Sequence, residues 1–334
     1  MDRKLQVSVV LPTLYRDPFL KRVLHDLLKQ EGLAAWEIVV IDQNAVPVAE
    51  RDGELHRLGA IGLVRWVECV GKGVVYAHNL GIALARGDIV VFIDDDVKID
   101  DSRFLERHWR THETSAPDVA AVCGREVNPG GAEFVRVIDY RRTSPMEDIL
   151  HFPRNYCQPT AAVVLSTANC SVKKGPLLKV EGFDERFRGA SYGDDGDLAL
   201  RLVQRGYQIL YDPGPALVHL HAPFGGMRLT GTNPHMHFSQ CDRIVSAVVF
   251  YHKHIRGQYP QYRWFYIYHY ILRKSVLLKV NLQRPWRLPA VVIGLCQAVG
   301  EARRLIHGGH QCSFRAEYLG QLKEWNASVS ANSR

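Results

Sequence analysis

A chain of 334 residues, 46% hydrophobic and 23% charged, has the composition of a folded protein of one large or two ordinary domains, which excludes disorder. No apolar run approaches the roughly 20 residues of a bilayer-spanning helix, and the start at Met1-Asp2-Arg3-Lys4 runs straight into a strand pattern without the apolar stretch of a secretory signal. Seven cysteines without CxxC spacing read as reduced thiols of a cytoplasmic protein, and the net charge of +7 asks for an anionic partner: phosphate, nucleic acid or an acidic membrane surface.

Leu5–Leu11 is rich in β-branched residues and ends at Pro12, which predicts a buried strand. From Pro18 to Gln30 apolar residues recur at Phe19/Leu20, Val23/Leu24 and Leu27/Leu28, the stripe of an amphipathic helix that Gly32 closes. Trp36–Asp42 reads as a second strand and Leu63–Cys69 as a third. Val74–Ala85 follows as a helix stopped by Arg86-Gly87, and Asp88–Ile93 as another buried strand. This alternation predicts an α/β core around a mostly parallel sheet covered on both faces. Leu198, Leu202 and Val203 space a short helix that Gly206 ends, and the stretch from Pro213 to His221 reads as a strand. After Ala222 the texture changes. A loop runs from Pro223 through Pro234, and beyond Ser239 the chain is basic, aromatic and helical in pattern, with no strand candidate. The expected division is a first domain over residues 1–225 and a mainly helical region over 226–334.

Several carboxylates sit where a site belongs. Asp94-Asp95-Asp96 ends the Asp88–Ile93 strand, and ligands of open α/β sheets bind beyond the carboxyl ends of strands. Three adjacent carboxylates repel one another unless a cation neutralises them. Alternation puts Asp94 and Asp96 on one side, a placement suited to Mg²⁺ or Mn²⁺; the plainer alternative is a solvated acidic turn. Asp194, Asp195 and Asp197 cluster at the start of the next helix. Capping explains one of them, which leaves a carboxylate for general-base work. His219 and His221 share one side of their strand and reach a metal or pack in the core. Thr13, Tyr15 and Asp42 stand at adjacent strand ends, where they could stack on and hydrogen-bond a nucleobase or serve as ordinary turn residues. No GxxxxGK[ST] and no GxGxxG occurs after any strand, which counts against P-loop enzymes and dinucleotide-dependent dehydrogenases.

Taken in order over roughly residues 5–222, these segments resemble the family 2 inverting glycosyltransferases with the GT-A fold. Val9–Arg16 looks like the family's first strand and base-binding turn, and Glu37–Asp42 like the strand whose last aspartate contacts the base. Asn79–Ala83 through Gly87–Asp96 is similar to the stretch that leads into the metal-binding DxD motif. Gly182–Phe187 followed by Gly193–Leu198 matches the acceptor-side segment, and Pro213 with His219 the closing strand. Two departures stand out: His78-Asn79 where many members have Arg-Asn, and Asp194 in place of the usual glutamate.

The resemblance implies a Rossmann-like mixed sheet flanked by helices, with a helical C-terminal region. It implies donor contacts from Pro12, Thr13, Tyr15, Asp42, Asn79, Asp94 and Asp95, and from Arg228 on a closing loop. It also implies cation ligation by Asp94, Asp96 and His219, and catalysis by Asp195 as base with Asp194 beside it. The expected reaction is metal-dependent transfer, with inversion, of a sugar from a nucleoside diphosphate such as UDP. The acceptor is a sugar or lipid-linked sugar hydroxyl, and no nucleic acid is involved. A nucleotidylyltransferase is the first alternative, disfavoured because Pro12–Arg16 has no glycine; a silent nucleotide-sugar-binding module is the second. The aromatic and basic run from Trp264 to Lys274 either packs on the core or lies peripherally at the inner face of the membrane.

Overall fold

In the computed structural model, which describes residues 5–129, 144–189, 192–226, 238–273, 286 and 288–332, the apolar run Val7–Thr13 forms strand β1, buried throughout. Helix α1 (Asp17–Leu27) turns Leu20, Val23, Leu24 and Leu27 inward, the stripe its spacing predicts. Strand β2 (Trp36–Asp42) pairs with β1 in parallel, from Val7 opposite Trp36 to Thr13 opposite Asp42, so both strands deliver their last residues to one edge. Helices α2 (Val48–Arg51) and α3 (Gly53–Gly59) follow, the second capped by Asp52, and lead into β3 (Val64–Glu68). Helix α4 (Val74–Leu84) crosses over to β4 (Ile89–Ile93), which lies parallel to β1 on its other side.

The second half is less regular. The short β5 (Val97–Lys98) precedes α5 (Phe104–Thr114) and β6 (Val119–Val127). Then come α6 (Pro145–His151), β7 (Thr160–Ala161), β8 (Asn169–Lys173) and α7 (Lys174–Lys179). Helix α8 (Asp194–Gln204), strand β9 (Gln208–His219) and helix α9 (Phe238–Phe250) complete the path to the C-terminal helices. The sheet runs β3-β2-β1-β4-β8-β6-β9-β5, with β7 also on β9. The expectation of a mostly parallel sheet holds for β1 to β4 and for the β6–β9 pair, but the sheet as a whole is mixed. Strand β8 inserts antiparallel between β4 and β6, and β5 and β7 pair antiparallel with β9.

Alternation along the strands builds two cores. On β4, Val90 and Phe92 point into one cluster, while Ile89, Val91 and Ile93 point into the other beneath α1 and α5. Full burial of one such side chain contributes about 1.5–3 kcal/mol. The first cluster also takes in Val245, Val249 and Phe250 of α9, Ala298 and Ala302 of the helix Leu288–His307, and Tyr318 of the helix Arg315–Asn332. The helical region past Ala222 therefore shares the core of the sheet. Lys253 fastens it further, 2.7 Å from Asp184 and 2.5 Å from Asp197. No helix among the described residues is long and apolar enough to cross a membrane, and the described cysteines are free thiols.

Candidate active site

The register of the sheet gathers the acidic residues at one edge. Thr13 and Asp42 end β1 and β2, and Asp94-Asp95-Asp96 follows β4. Strand β5 pairs Val97 with His219, which brings the end of β9 across to the aspartates. His219 Nε2 stands 3.3 Å from Asp94 Oδ2 and 3.8 Å from Asp96 Oδ1. One ligand atom from each of Asp94, Asp96 and His219 lies within 4.8 Å of the others. Asp96 Oδ2 accepts from the Ala222 N–H at 2.8 Å. Its Oδ1 is buried, with no hydrogen-bond partner among the described residues. That oxygen makes an ion pair with Arg16 but no such hydrogen bond, and a buried oxygen with spare capacity beside a carboxylate and an imidazole is what a hard or borderline divalent cation fits.

Asp95 is turned to a different task. It takes a hydrogen bond from Thr13 Oγ1 at 2.7 Å and pairs with Arg16 Nη1 at 2.8 Å. Arg16 Nη1 also stands 3.1 Å from Asp96, so one guanidinium offsets part of the charge of three carboxylates. Burial lifts the Asp95 pKa to about 6 against the pull of Arg16 and Thr13. Burial opposes ionisation of Asp94 as well, but the His219 hydrogen bond and charge prevail and hold it below its ordinary value. His219 is itself raised: burial works against its charge, and Asp94 and Asp96 outweigh burial. Arg16 is held from behind by Pro223–Gly226, its Nε donating to the Phe224 carbonyl at 3.2 Å. Gly225 and Gly226 have φ of 73° and 64°, and a Cβ on either would strike Tyr15 or Arg16, so this contact requires glycine at both positions.

A cleft of about 320 Å³ opens in front of these groups. Pro12, Thr13, Asp94, Asp95, Asp194, Asp195 and His219 line it, so most of the expected site residues meet there. Asp194 and Asp195 arrive in the first turn of α8, whose N-cap is Gly193 with no side-chain capping bond. Capping therefore accounts for neither. Asp195 Oδ1 has no hydrogen-bond partner among the described residues. Burial raises the Asp195 pKa well above the carboxylate range; the neighbouring charge of Asp194 adds to this and Arg154 opposes it. Asp197 is committed elsewhere, to Arg201 at 2.7 Å, Lys253 at 2.5 Å and His254 at 2.8 Å.

Other expected residues stand outside the cleft wall. Asp42 is buried with both oxygens engaged: Asn44 donates to one, and Arg51 and Trp66 to the other. It positions Asn44, whose Oδ1 accepts from the Tyr15 N–H at 2.9 Å. Tyr15 has a φ of 56° and a half-exposed ring. Asn79 is buried and bonded through its amide to Phe183 and Glu185, so it ties α4 to the Gly182–Phe187 segment. His78 is packed against Phe92 and Phe183, and burial lowers its pKa to about 4, so it is a neutral core residue. His221 lies beyond β9, stacks on His219 and bonds to Asn128 rather than joining the ligand cluster. Arg228 lies outside the described residues. The sequence reading assigned no role to Arg16, Arg154 or Glu126, which also line the cleft. A single arginine in a connecting segment carries no periodicity or spacing that marks it.

A mixed α/β sheet with an acidic turn and a histidine gathered at its strand ends, and a helical region on the same core, is the GT-A architecture of nucleotide-sugar transferases. The family model for glycosyl transferase family 2 matches residues 8–180, and the chain belongs to that family. It is 27% identical over 229 residues to the pre-mycofactocin glycosyltransferase of Mycobacterium tuberculosis, covering 64% of this chain and 43% of that one. It is 22% identical over 238 residues to the O-antigen biosynthesis protein RfbC of Myxococcus xanthus, covering 64% and 17%. The chain thus spans less than half the length of these relatives. Among solved structures it resembles the mannosyltransferase PcManGT from Pyrobaculum calidifontis in complex with GDP-Man and Mn²⁺. The TM-score is 0.53 at 18% identity, over 99% of this chain and 87% of that one. It also resembles GalNAc-T7 with UDP, GalNAc and Mn²⁺, with a TM-score of 0.54 at 15% identity over 79% and 50% of the two chains. S. aureus TarS gives a TM-score of 0.55 at 13% identity, over 90% and 50%.

Proposed function

We propose that the protein is a metal-dependent, inverting glycosyltransferase of the hexosyltransferase type that moves a sugar from UDP to a hydroxyl acceptor in glycoconjugate or polysaccharide synthesis. One observation carries this reading: the cleft lined by Asp94 and His219, which cluster with the buried Asp96, is also lined by a separate carboxylate, Asp195, with an oxygen that has no hydrogen-bond partner among the described residues. Asp94, Asp96 and His219 would hold Mn²⁺ or Mg²⁺, which when bound supplies positive charge to the diphosphate as it leaves. Pro12 and Thr13 border the donor, and Asp42 acts on it through the Asn44 and Tyr15 turn. Arg16 holds Asp95 and Asp96 in place before any ligand arrives. Asp195 accepts the proton of the acceptor hydroxyl as that oxygen attacks the anomeric carbon. A raised pKa makes it a stronger base than a free carboxylate. One base and one displacement invert the anomeric centre.

Thermal shift with a panel of nucleotide-sugars, with and without Mn²⁺, followed by assay of released nucleoside diphosphate, tests the reading. One donor is expected to stabilise the protein in the presence of Mn²⁺ and to be slowly hydrolysed; at about 100 times its Kd it adds roughly 2.7 kcal/mol. Release of pyrophosphate from a nucleoside triphosphate and a sugar phosphate would support the nucleotidylyltransferase instead. Donor binding with no turnover under any acceptor would indicate a silent binding module.

A further inference from the structure

A second cavity, of about 220 Å³, opens beside the cleft and shares Arg154, Asp194 and Asp195 with it. Elsewhere its wall joins aliphatic Ile149 and Leu165 and the rings of Phe152, Phe250, Tyr266 and Tyr270 to Tyr192 and the backbone of Gly193 and Gly196. The rings fix one another: Phe250 stacks on Tyr266 at 5.6 Å and 16°, and Tyr266 on Tyr270 at 4.7 Å and 25°. Two residues of this wall carry buried polar atoms with no partner among the described residues, Asp195 Oδ1 and Tyr266 Oη. Such atoms are costly to leave unpaired, and a ligand that brings a hydroxyl to them removes the penalty.

We propose that this second cavity is the acceptor site and that the acceptor is a small aromatic hydroxyl compound, its ring among Phe250, Tyr266 and Tyr270 and its hydroxyl at Asp195. The proposal rests on the transferase reading above. An apolar cavity of about 150 Å³ takes up benzene; the additional space here fits a hydroxyl and a small substituent. The rings of Phe250, Tyr266 and Tyr270 offer an aromatic guest apolar faces, while Arg154, Asp194 and Asp195 gather polar groups at one end, where a single hydroxyl would lie. In transfer, the aryl oxygen bonds to the anomeric carbon while the bond from that carbon to the diphosphate oxygen breaks. The diphosphate leaves with the electron pair, and the hydroxyl proton passes to Asp195.

Saturation-transfer NMR on the full chain with para-cresol, methyl β-glucoside and hexanol tests this without turnover. Ile149 is partly exposed, so Ile149→Phe can place its added ring in the cavity. Para-cresol is expected to bind more tightly than the other two, about tenfold less tightly in Ile149→Phe, and about threefold less in Tyr266→Phe, with UDP and Mn²⁺ binding kept. If Ile149→Phe fails to fold by circular dichroism, Tyr266→Phe decides. Equal para-cresol binding in wild type and variant, or preference for methyl β-glucoside or hexanol, overturns the proposal. A protein that hydrolyses its donor yet binds no para-cresol remains a transferase with a different acceptor. One that binds para-cresol here but turns over no donor overturns the transferase reading, and the acceptor role with it.

Discussion

Asp195 and Asp197 sit two positions apart in one helical turn, and their surroundings divide them. Asp197 is saturated by Arg201, Lys253 and His254, whereas Asp195 faces the cleft with an unpaired oxygen. Asp195→Asn keeps the size and removes the base, so transfer is expected to fall about 10²–10⁴-fold, roughly 3–5 kcal/mol of barrier. UDP affinity should move less than about threefold. Turnover close to wild type would shift the role to Asp194. Because burial and Asp194 raise the Asp195 pKa, the base is lost to protonation at a higher pH than for an ordinary carboxylate. The acidic limb of kcat/KM should therefore lie above the usual carboxylate range and report the Asp194–Asp195 pair jointly. A limb in the ordinary range near pH 4 would contradict that. At the other cluster, Mn²⁺ should raise UDP affinity about tenfold or more, or 1.4 kcal/mol. Calorimetry should find that Asp96→Ala erases this gain, while the exposed Asp100→Ala retains it.

Between elements, the decisive contact is electrostatic. Lys253, just past α9, sits between the carboxylates of Asp184 and Asp197, both fully buried, and so joins the helical region to the segments around α8. Removing one partner of a buried ion pair costs about 3–5 kcal/mol; Arg186 and Arg201 remain here, so Lys253→Met should cost about 3 kcal/mol. A lower urea midpoint at unchanged slope would show it. Burial tends to raise both pKa values; for Asp184 it is overcome chiefly by His310, Arg186 and Lys253, and for Asp197 by Arg201, Lys253 and His254. Both end well below the ordinary 3.8. The sign follows: these groups stabilise fully above the unfolded value, and their contribution is lost as pH falls below it. Acid unfolding should accordingly be blunted in Lys253→Met. The sequence showed Asp197 as one of three equivalent carboxylates, because only Arg201 lies nearby in the chain and its other two cations, Lys253 and His254, arrive from 56 and 57 positions away. Strands β1, β2 and β4 were legible as apolar runs rich in β-branched residues, and β3 from its place in the alternation. Strands β6 and β8 were not, since Gly124-Arg125-Glu126 and Asn169-Cys170-Ser171 interrupt the pattern that tertiary pairing completes.

At the scale of the whole molecule, the site was legible where chemistry is clustered and illegible where it is dispersed. Three adjacent aspartates marked the turn where Asp94 and Asp96 meet His219, whereas Arg16 and Arg154 entered the cleft only through the fold. The aromatic run past Tyr262 shows the same split. The segment packs one set of rings on the core and leaves another set exposed, and it is the exposed set on which contact with a membrane would depend. Tyr262, Tyr266 and Tyr270 pack against the core at helical spacing, while Trp264 and Tyr268 are 76% and 49% exposed. Trp286, Val292 and Ile293 are exposed as well, in a chain of net charge +7. Exposed indole and phenol rings on a basic protein favour a membrane interface, and each basic residue near an anionic surface contributes about 1 kcal/mol. Sedimentation with vesicles of anionic lipid should thus show weak binding at low salt that is lost near 0.5 M salt, roughly where the Debye length falls to a few ångströms. Trp264→Ala with Tyr268→Ala should lower that binding and leave UDP affinity intact, because neither ring lines the cleft. Absence of binding at low salt would refute a membrane role, and these rings would then be exposed without a surface to meet.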